Sequence, residues 1–261
     1  MDLDALIQGV GASQLVAFML VIARVAPLFI FAPLFSSKML PFRIRGIVAV
    51  AISIGLSPMA LGDAQPPLDA LGIFELILKE LLVGMAFAFS IGVLFYALQA
   101  AGGFLDTIVG FAFGASVDPI SGNQGTVLGQ FYGLIGVAVF VTIGGVEMVL
   151  RGLGETYVLV PLLEYPDLDA LLDGVWGAFT GIFTASLQVA APVVLALVLT
   201  DLAFGLVTRV VPQLNVFSVG MPAKVLVGLF LISASLPFVA GYVDDELERS
   251  VRVALSSLGV S

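Results

Sequence analysis

Long stretches without charge constrain this sequence more than any other feature. Residues 175–200 form a run of 26 residues that contains no Asp, Glu, Lys or Arg. An α-helix needs about 20 mostly apolar residues to cross the hydrocarbon core of a bilayer. A helix that is apolar on every side must be covered by lipid or by other apolar surface. The run therefore predicts a membrane-spanning helix or a helix that other helices surround.

The composition extends this constraint to the whole chain. Hydrophobic residues make up 60% of the sequence and charged residues 11%, and the mean hydropathy is +1.15. Soluble domains are about 45–50% apolar and about 25% charged. So few charges cannot cover the surface of a soluble fold, because the excess apolar surface would face water. We therefore expect an all-α membrane protein.

Six apolar runs predict about six helices, arranged as hairpins. The runs are residues 5–35, 46–61, 71–101, 127–150, 174–211 and 224–243, and the two longest could each be split. Prolines inside the runs are expected to interrupt helices, because proline lacks the backbone N–H that a helix uses. These prolines are Pro27, Pro33, Pro192 and Pro237. After the last run, residues 244–261 predict a short polar C-terminal helix.

Two missing residue types exclude several kinds of chemical site. The chain has no Cys and no His, so it lacks thiolate ligands and the commonest general base and metal ligand. The motifs GxxxxGK[ST], HExxH and GxSxG are also missing. We expect no catalytic, cofactor-binding or metal site. With 10 basic and 19 acidic residues, the chain has no electrostatic basis for binding nucleic acid.

Charged residues inside the apolar runs need partners, because a charge at the centre of a membrane helix costs about 2.5–3.5 kcal/mol. Arg24 predicts an ion pair, either within the chain or with another subunit; the alternative is a helix that is shorter than the apolar run. Glu75 and Lys79 are four residues apart, so they share a helix face and can neutralise each other. Glu80 is then left over on a neighbouring face. This patch suggests polar packing near the start of a helix, with a proton relay as the alternative.

Asp201 is the best candidate for a functional carboxylate within the membrane. It directly follows the charge-free run of residues 175–200. The alternative is a structural ion pair, with Arg24 or Arg209 as the partner. Such charges, together with proline-broken helices, also occur in secondary transporters. A secondary transporter therefore stays open as a function.

Residues 110–118, GFAFGASVD, differ from the helical runs. Small residues alternate with Phe111 and Phe113, and turn-forming residues follow. The segment predicts a re-entrant apolar loop packed in the core. The alternative is a plug in a conduit, where aromatic rings keep water out.

One long segment carries a family resemblance. Residues 205–228 read GLVTRVVPQLNVFSVGMPAKVLVG, which resembles the R-subunit family of type III export gates (FliR/SctT), flagellar and virulence-associated. The most specific part is PQLNVF with Pro222 and Lys224. The amino-acid sequence of this segment favours the flagellar branch of the family over the virulence branch. Residues 20–45, 97–119 and 128–150 are similar to the same family, so the resemblance covers essentially the whole chain.

The resemblance implies a non-enzymatic core subunit of the flagellar export gate. Such a subunit lies in the bacterial inner membrane, at the flagellar basal body, and unfolded flagellar proteins cross through the gate. The implied partners are the P and Q gate subunits in a helical assembly with one R copy, the B subunit, membrane lipid and the translocating substrates. The implied organisation is a P-like part at 1–173, with a plug loop at 106–122, and a Q-like part at 174–261.

The resemblance also implies roles for particular residues. The pore plug comprises Val109, Gly110, Phe111, Ala112, Phe113, Gly114, Ala115 and Ser116, with the two phenylalanines in the lumen. Segment 209–224 corresponds to the cytoplasmic tip that meets neighbouring subunits. The polar residues expected to act between subunits or in the structure are Arg24, Glu75, Lys79, Asp201, Arg209, Asn215 and Lys224.

Overall fold

The computed structural model describes residues 3–32, 35, 41–61, 66–111, 126–211 and 216–259, with backbone alone at 3–10, 61 and 216–218. Its helices are α1 (Leu3–Val25), α2 (Leu28–Phe31), α3 (Phe42–Leu61), α4 (Ala70–Val109), α5 (Val127–Thr142), α6 (Gly145–Leu159), α7 (Leu168–Val210) and α8 (Val216–Ser256). These described ranges contain no β-strand. The prediction of an all-α fold is confirmed.

The helices have the length and composition of membrane spans. Within the described residues, five helical segments can cross a bilayer, and the bent pair of α5 and α6 would supply a sixth. Large apolar side chains lie exposed along them, including Phe42, Trp176 and Phe230, which are 87%, 68% and 73% exposed. A water-soluble monomer does not expose apolar surface on this scale. The chain is therefore a membrane protein, as its composition predicts.

The prolines break fewer helices than expected. Pro27 lies between α1 and α2, as predicted. Pro192 lies inside α7, and Pro237 lies inside α8. At these two positions the predicted interruption is wrong, because proline removes one helical hydrogen bond while the bonds of the flanking turns persist. Pro33 lies outside the described residues.

Two other boundaries differ from the sequence-based expectation. The fourth apolar run is not one straight helix, because Gly144 at φ +77° separates α5 from α6. A left-handed backbone of this kind is open to glycine at little cost. The polar tail does not form a separate helix, since α8 continues without a break to Ser256.

The contacts divide the chain into two compact units. The first contains residues 1–93, 144–179 and 247–261, and the second contains residues 94–143 and 180–246. The division cuts across α4, α7 and α8, so neither unit corresponds to one continuous half of the sequence. The assignment of P-like and Q-like parts concerns ancestry and stays a prediction.

In the first unit, α1 and α4 approach each other closely at Gly84. A Cβ at this position would lie 2.9 Å from the carbonyl carbon of Arg24 and 3.0 Å from its Cα. Glycine is needed there because the backbone of α1 occupies the space of a side chain. Helix α3 packs against α1 and α6. A separate apolar cluster holds Val83, Ala86, Val160, Leu171 and Leu258.

In the second unit, glycines allow α4 and α5 to pack backbone to backbone. A Cβ at Gly102 would lie 2.6 Å from the Cα of Gly129. Farther along the two helices, the rings of Phe95 and Phe140 meet edge to face with centroids 5.4 Å apart. Small residues at a crossing are typical of membrane helices, which associate through close van der Waals contact.

Candidate functional site

Arg24 lies at the centre of a buried polar cluster in the first unit. Its side chain is 0% exposed. Nε and one terminal nitrogen donate to the two carboxylate oxygens of Glu80, the second bond measuring 3.0 Å. The other donors reach the carbonyl oxygen of Thr156 at 2.9 Å, its hydroxyl at 3.2 Å, and the carbonyl of Val160 at 2.8 Å. All five guanidinium N–H groups therefore have acceptors.

Lys79 joins this cluster at the same carboxylate. Its Nζ lies 2.6 Å from Oε1 of Glu80. It also donates to the carbonyl oxygens of Pro161, Leu162 and Glu164 at 3.3, 2.8 and 3.0 Å. One carboxylate thus forms ion pairs with two cations, and backbone carbonyl oxygens are the remaining hydrogen-bond acceptors.

An aromatic ring covers the guanidinium group. The ring centroid of Tyr157 lies 4.1 Å from Cζ of Arg24, a distance suited to a cation–π contact. The Tyr157 hydroxyl donates to the Val21 carbonyl at 3.5 Å. The cluster ties α1, α4, α6 and the chain that follows α6 into one frame. Its two cations are satisfied by one shared carboxylate and by backbone carbonyl oxygens, which suits a structural role.

The partners in this cluster differ from those that the sequence spacing suggested. Arg24 forms an ion pair within the chain, one of the outcomes expected for it. Lys79 pairs with Glu80, so the predicted pairing of Lys79 with Glu75 is wrong. Glu80 is the shared counter-ion and is not left over. The i, i+4 rule places two residues on one face but does not decide which face is buried.

Glu75 has a different partner near the surface. The Tyr165 hydroxyl donates to its carboxylate at 2.7 Å. This hydrogen bond raises the pKa of Tyr165, because the carboxylate stabilises the protonated phenol. The bond links α4 to the loop between α6 and α7.

Asp201 and Lys224 form an ion pair between α7 and α8. Lys224 Nζ lies 2.6 Å from Asp201 Oδ2. The Asp201 side chain is 49% exposed and that of Lys224 is 17% exposed. The structural alternative for Asp201 therefore has Lys224 as its partner and neither of the two arginines proposed. Arg209 is exposed in the last turn of α7, where the helix dipole favours a cation.

The base of the predicted plug lies at the end of α4. Val109 is the last residue of that helix and is 0% exposed, and Gly110 follows with φ +106°. Phe111 is half-buried. Residues 112–116 of the predicted plug lie outside the described residues, as does Asn215.

Sequence reasoning overlooked one buried carboxylate next to this base. Asp106 is 2% exposed, and its Oδ1 accepts the backbone N–H of Leu128 at 3.1 Å. Leu128 lies in the first turn of α5, where backbone N–H groups have no acceptor within the helix. The Asp106 carboxylate supplies that acceptor from α4, since no side chain next to α5 in sequence does so among the described residues. No local motif marks such a cap, because the donor comes from a different helix. Within the described residues, no group of acidic side chains is arranged to hold a metal ion.

The comparison with known proteins decides the family. The sequence model of the bacterial export proteins, family 1, matches residues 15–250. The chain belongs to this family. The matched residues include the buried cluster around Arg24, the ion pair of Asp201 and Lys224, and the base of the predicted plug.

The similar proteins carry two different names, FliR and SpaR. The flagellar biosynthetic protein FliR of Bacillus subtilis is 29% identical over 252 residues, covering 94% of this chain and 96% of that protein. The surface presentation of antigens protein SpaR of Salmonella typhimurium is 30% identical over 221 residues, covering 82% of each. FliR of Escherichia coli is 27% identical over 221 residues, covering 85% of this chain and 84% of that protein. The chain is thus similar to type III export proteins of both kinds.

Proposed function

We propose that this chain is the core R-type subunit of a flagellar type III export gate in the bacterial inner membrane. It acts without catalysis, as part of a gated conduit for unfolded flagellar proteins. Its proposed partners are the P, Q and B subunits of the gate. In this proposal residues 1–173 are the P-like part and residues 174–261 the Q-like part.

The exposed apolar surface of α7 is the observation that carries this proposal. The helix has 43 residues, which corresponds to about 64 Å at 1.5 Å per residue. Exposed apolar side chains occur from Leu168 near one end to Val210 at the other, and they include Trp176, Leu187 and Leu199.

Lipid alone cannot cover a stripe of this length. The hydrocarbon core is about 30 Å thick, and membrane helices tilt by at most about 40°. At that tilt, α7 still extends over about 49 Å along the membrane normal, beyond the core. The remaining apolar surface must contact protein, and sister gate subunits are the proposed occupants.

The buried charges support the same proposal. Arg24, Lys79 and Glu80 use one another and backbone carbonyls as partners, which builds a rigid frame. A proton relay needs a group that can exchange its partner during a cycle. The cluster therefore favours a scaffold for a conduit over a secondary transporter.

The proposed gate is the segment of residues 109–116. Its phenylalanines Phe111 and Phe113 narrow the lumen, and an apolar constriction stays free of water until substrate parts it. The double variant Phe111→Gly/Phe113→Gly should raise the ion conductance of the assembled gate while export continues. Unchanged conductance in a gate that assembles normally contradicts the plug assignment.

Gene deletion distinguishes the flagellar proposal from its virulence alternative. Deletion should abolish motility and the secretion of flagellar filament protein, and the intact gene should restore both. SpaR and FliR relatives are similarly distant, so the flagellar choice rests on the PQLNVFSVGMPAK segment. Normal motility together with the loss of another type III secretion activity would support the virulence alternative.

A further inference from the structure

The C-terminal end of α4 is in tight van der Waals contact with α8. Val109 is 0% exposed and Gly228 is buried. A Cβ built on Gly228 would lie 2.9 Å from Cγ2 of Val109 and 3.1 Å from its Cγ1. These distances are shorter than ordinary packing of carbon atoms at about 3.5–4.0 Å. Any side chain at position 228 would therefore displace the last residue of α4.

The turn that follows α4 contacts α8 as well. Gly110 has φ +106°, a conformation that side chains other than glycine rarely adopt. A Cβ at Gly110 would lie 3.3 Å from Cε of Met221 and 3.6 Å from its Sδ. Met221 thus covers the point at which the chain leaves α4.

One face of α8 provides these contacts. Met221, Lys224 and Gly228 are spaced i, i+3 and i+7, so they lie on one side of the helix. Lys224, between the two contact residues, forms the ion pair with Asp201 of α7. The face that holds the end of α4 is therefore itself fixed to α7.

The start of α5, which follows the proposed plug in the sequence, is also held on α4. Asp106 accepts the Leu128 N–H at 3.1 Å, and Gly102 meets Gly129 at backbone distance. The described chain resumes at residue 126. Both ends of the stretch between α4 and α5 are thus attached to the same unit.

We infer that Met221 and Gly228 are positioning residues that hold the end of α4 in one place while the gate works. This inference rests on the proposed function, in which the plug begins at Val109. Conformational change during export is then confined to residues beyond Gly110. The alternative is a latch, in which α8 and α4 separate whenever substrate passes.

A reversible cross-link tests whether the contact separates. The native chain has no Cys, so Val109→Cys/Gly228→Cys introduces a unique pair. The Cβ of Val109 lies 3.6 Å from the Cβ position at Gly228, within the disulfide range of about 3.5–4.5 Å. Oxidation of the assembled gate should form the disulfide, and export should stay within about twofold of that of the reduced gate.

Two results would overturn the inference. Failure of the disulfide to form would show that the contact does not exist in the gate. Loss of export on oxidation, reversed by a reductant, would show that the contact has to open. The single variant Val109→Cys, oxidised in parallel, controls for damage by the oxidant.

A steric substitution tests the positioning role separately. Gly228→Val should raise ion conductance several-fold, because it pushes Val109 and the start of the plug out of place. Gly241→Val on the same helix is the matched control, since a Cβ there meets nothing within 4 Å. Gly228→Ala replaces Gly228→Val if the larger side chain prevents assembly.

The plug variant Phe111→Gly/Phe113→Gly, measured beside these, separates the two claims. If it leaks and Gly228→Val does not, the positioning inference is wrong and the plug proposal stands. If neither leaks, both are wrong.

Discussion

Arg24 and Glu80 form a fully buried ion pair that joins α1 to α4 across 56 positions of sequence. Lys79 shares the same carboxylate at 2.6 Å. Loss of one partner of a buried pair leaves a charge without compensation and costs about 3–5 kcal/mol. The ion-pair contact between α1 and α4 therefore depends on a single carboxylate.

Removal of that carboxylate should be more harmful than removal of the arginine. Glu80→Leu leaves two buried cations, whereas Arg24→Leu leaves Glu80 still paired with Lys79. We expect Glu80→Leu to lower the free energy of unfolding by about 3–5 kcal/mol and Arg24→Leu to lower it by less. Thermal unfolding in detergent measures both. Glu147 and Arg151 form an exposed i, i+4 ion pair on α6, with the two side-chain atoms 2.8 Å apart. This pair is the control, and Glu147→Gln should cost about 0.5 kcal/mol or less. Equal losses for the two buried variants would contradict the shared role of Glu80.

Gly84→Ala should destabilise the protein even though alanine favours helices. The added Cβ would lie 2.9 Å from the carbonyl carbon of Arg24, so α1 would have to move. Gly55→Ala on α3 is the control, because a Cβ there meets nothing within 4 Å. The control should gain about 0.5–1 kcal/mol from helix propensity. If the two variants change the melting temperature in the same direction, the close approach is not present.

The ion pair of Asp201 and Lys224 should appear as energetic coupling. The residues lie on different helices, with Nζ and Oδ2 2.6 Å apart. We expect Asp201→Asn and Lys224→Gln to be non-additive in a double-mutant cycle, with a coupling of about 0.2–1 kcal/mol, as is typical of a partly exposed pair. Additive losses would show that the two side chains do not interact in the membrane.

Tyr165 should titrate at higher pH than an ordinary tyrosine. Its hydroxyl donates to the Glu75 carboxylate, which raises its pKa. A pKa raised in the folded state adds stability below the unfolded value of about 10 and loses it as pH rises through the folded value. Glu75→Gln should lower the pKa of Tyr165, seen as the difference in phenolate absorbance between chains with tyrosine and phenylalanine at 165. An unchanged titration would argue against the hydrogen bond.

The apolar helices could be predicted from sequence because they depend on the length of a charge-free run. The pairing of Arg24 with Glu80 could not, since nothing local relates residues so far apart. The error at Glu75 has a physical cause as well. Lys79 and Glu80 are adjacent and leave the helix in directions about 100° apart, yet their long side chains converge because both are buried.

The carbonyl acceptors of the cluster were also beyond sequence reasoning. Thr156, Val160 and Leu162 contribute main-chain oxygens, and this role does not depend on residue type. The continuity of α7 through Pro192 shows a similar limit. A proline predicts the loss of one hydrogen bond, whereas the fate of the helix depends on its packing.

The mass of the native assembly tests the central claim most directly. The chain should be purified with an affinity tag in mild detergent from cells that express the whole export system, and the particle mass measured by native mass spectrometry. We predict one copy of this chain in a large complex with several copies of the P and Q subunits, and little stable protein when the chain is expressed alone. A stable monomer or dimer without those partners would contradict the account and favour a transporter.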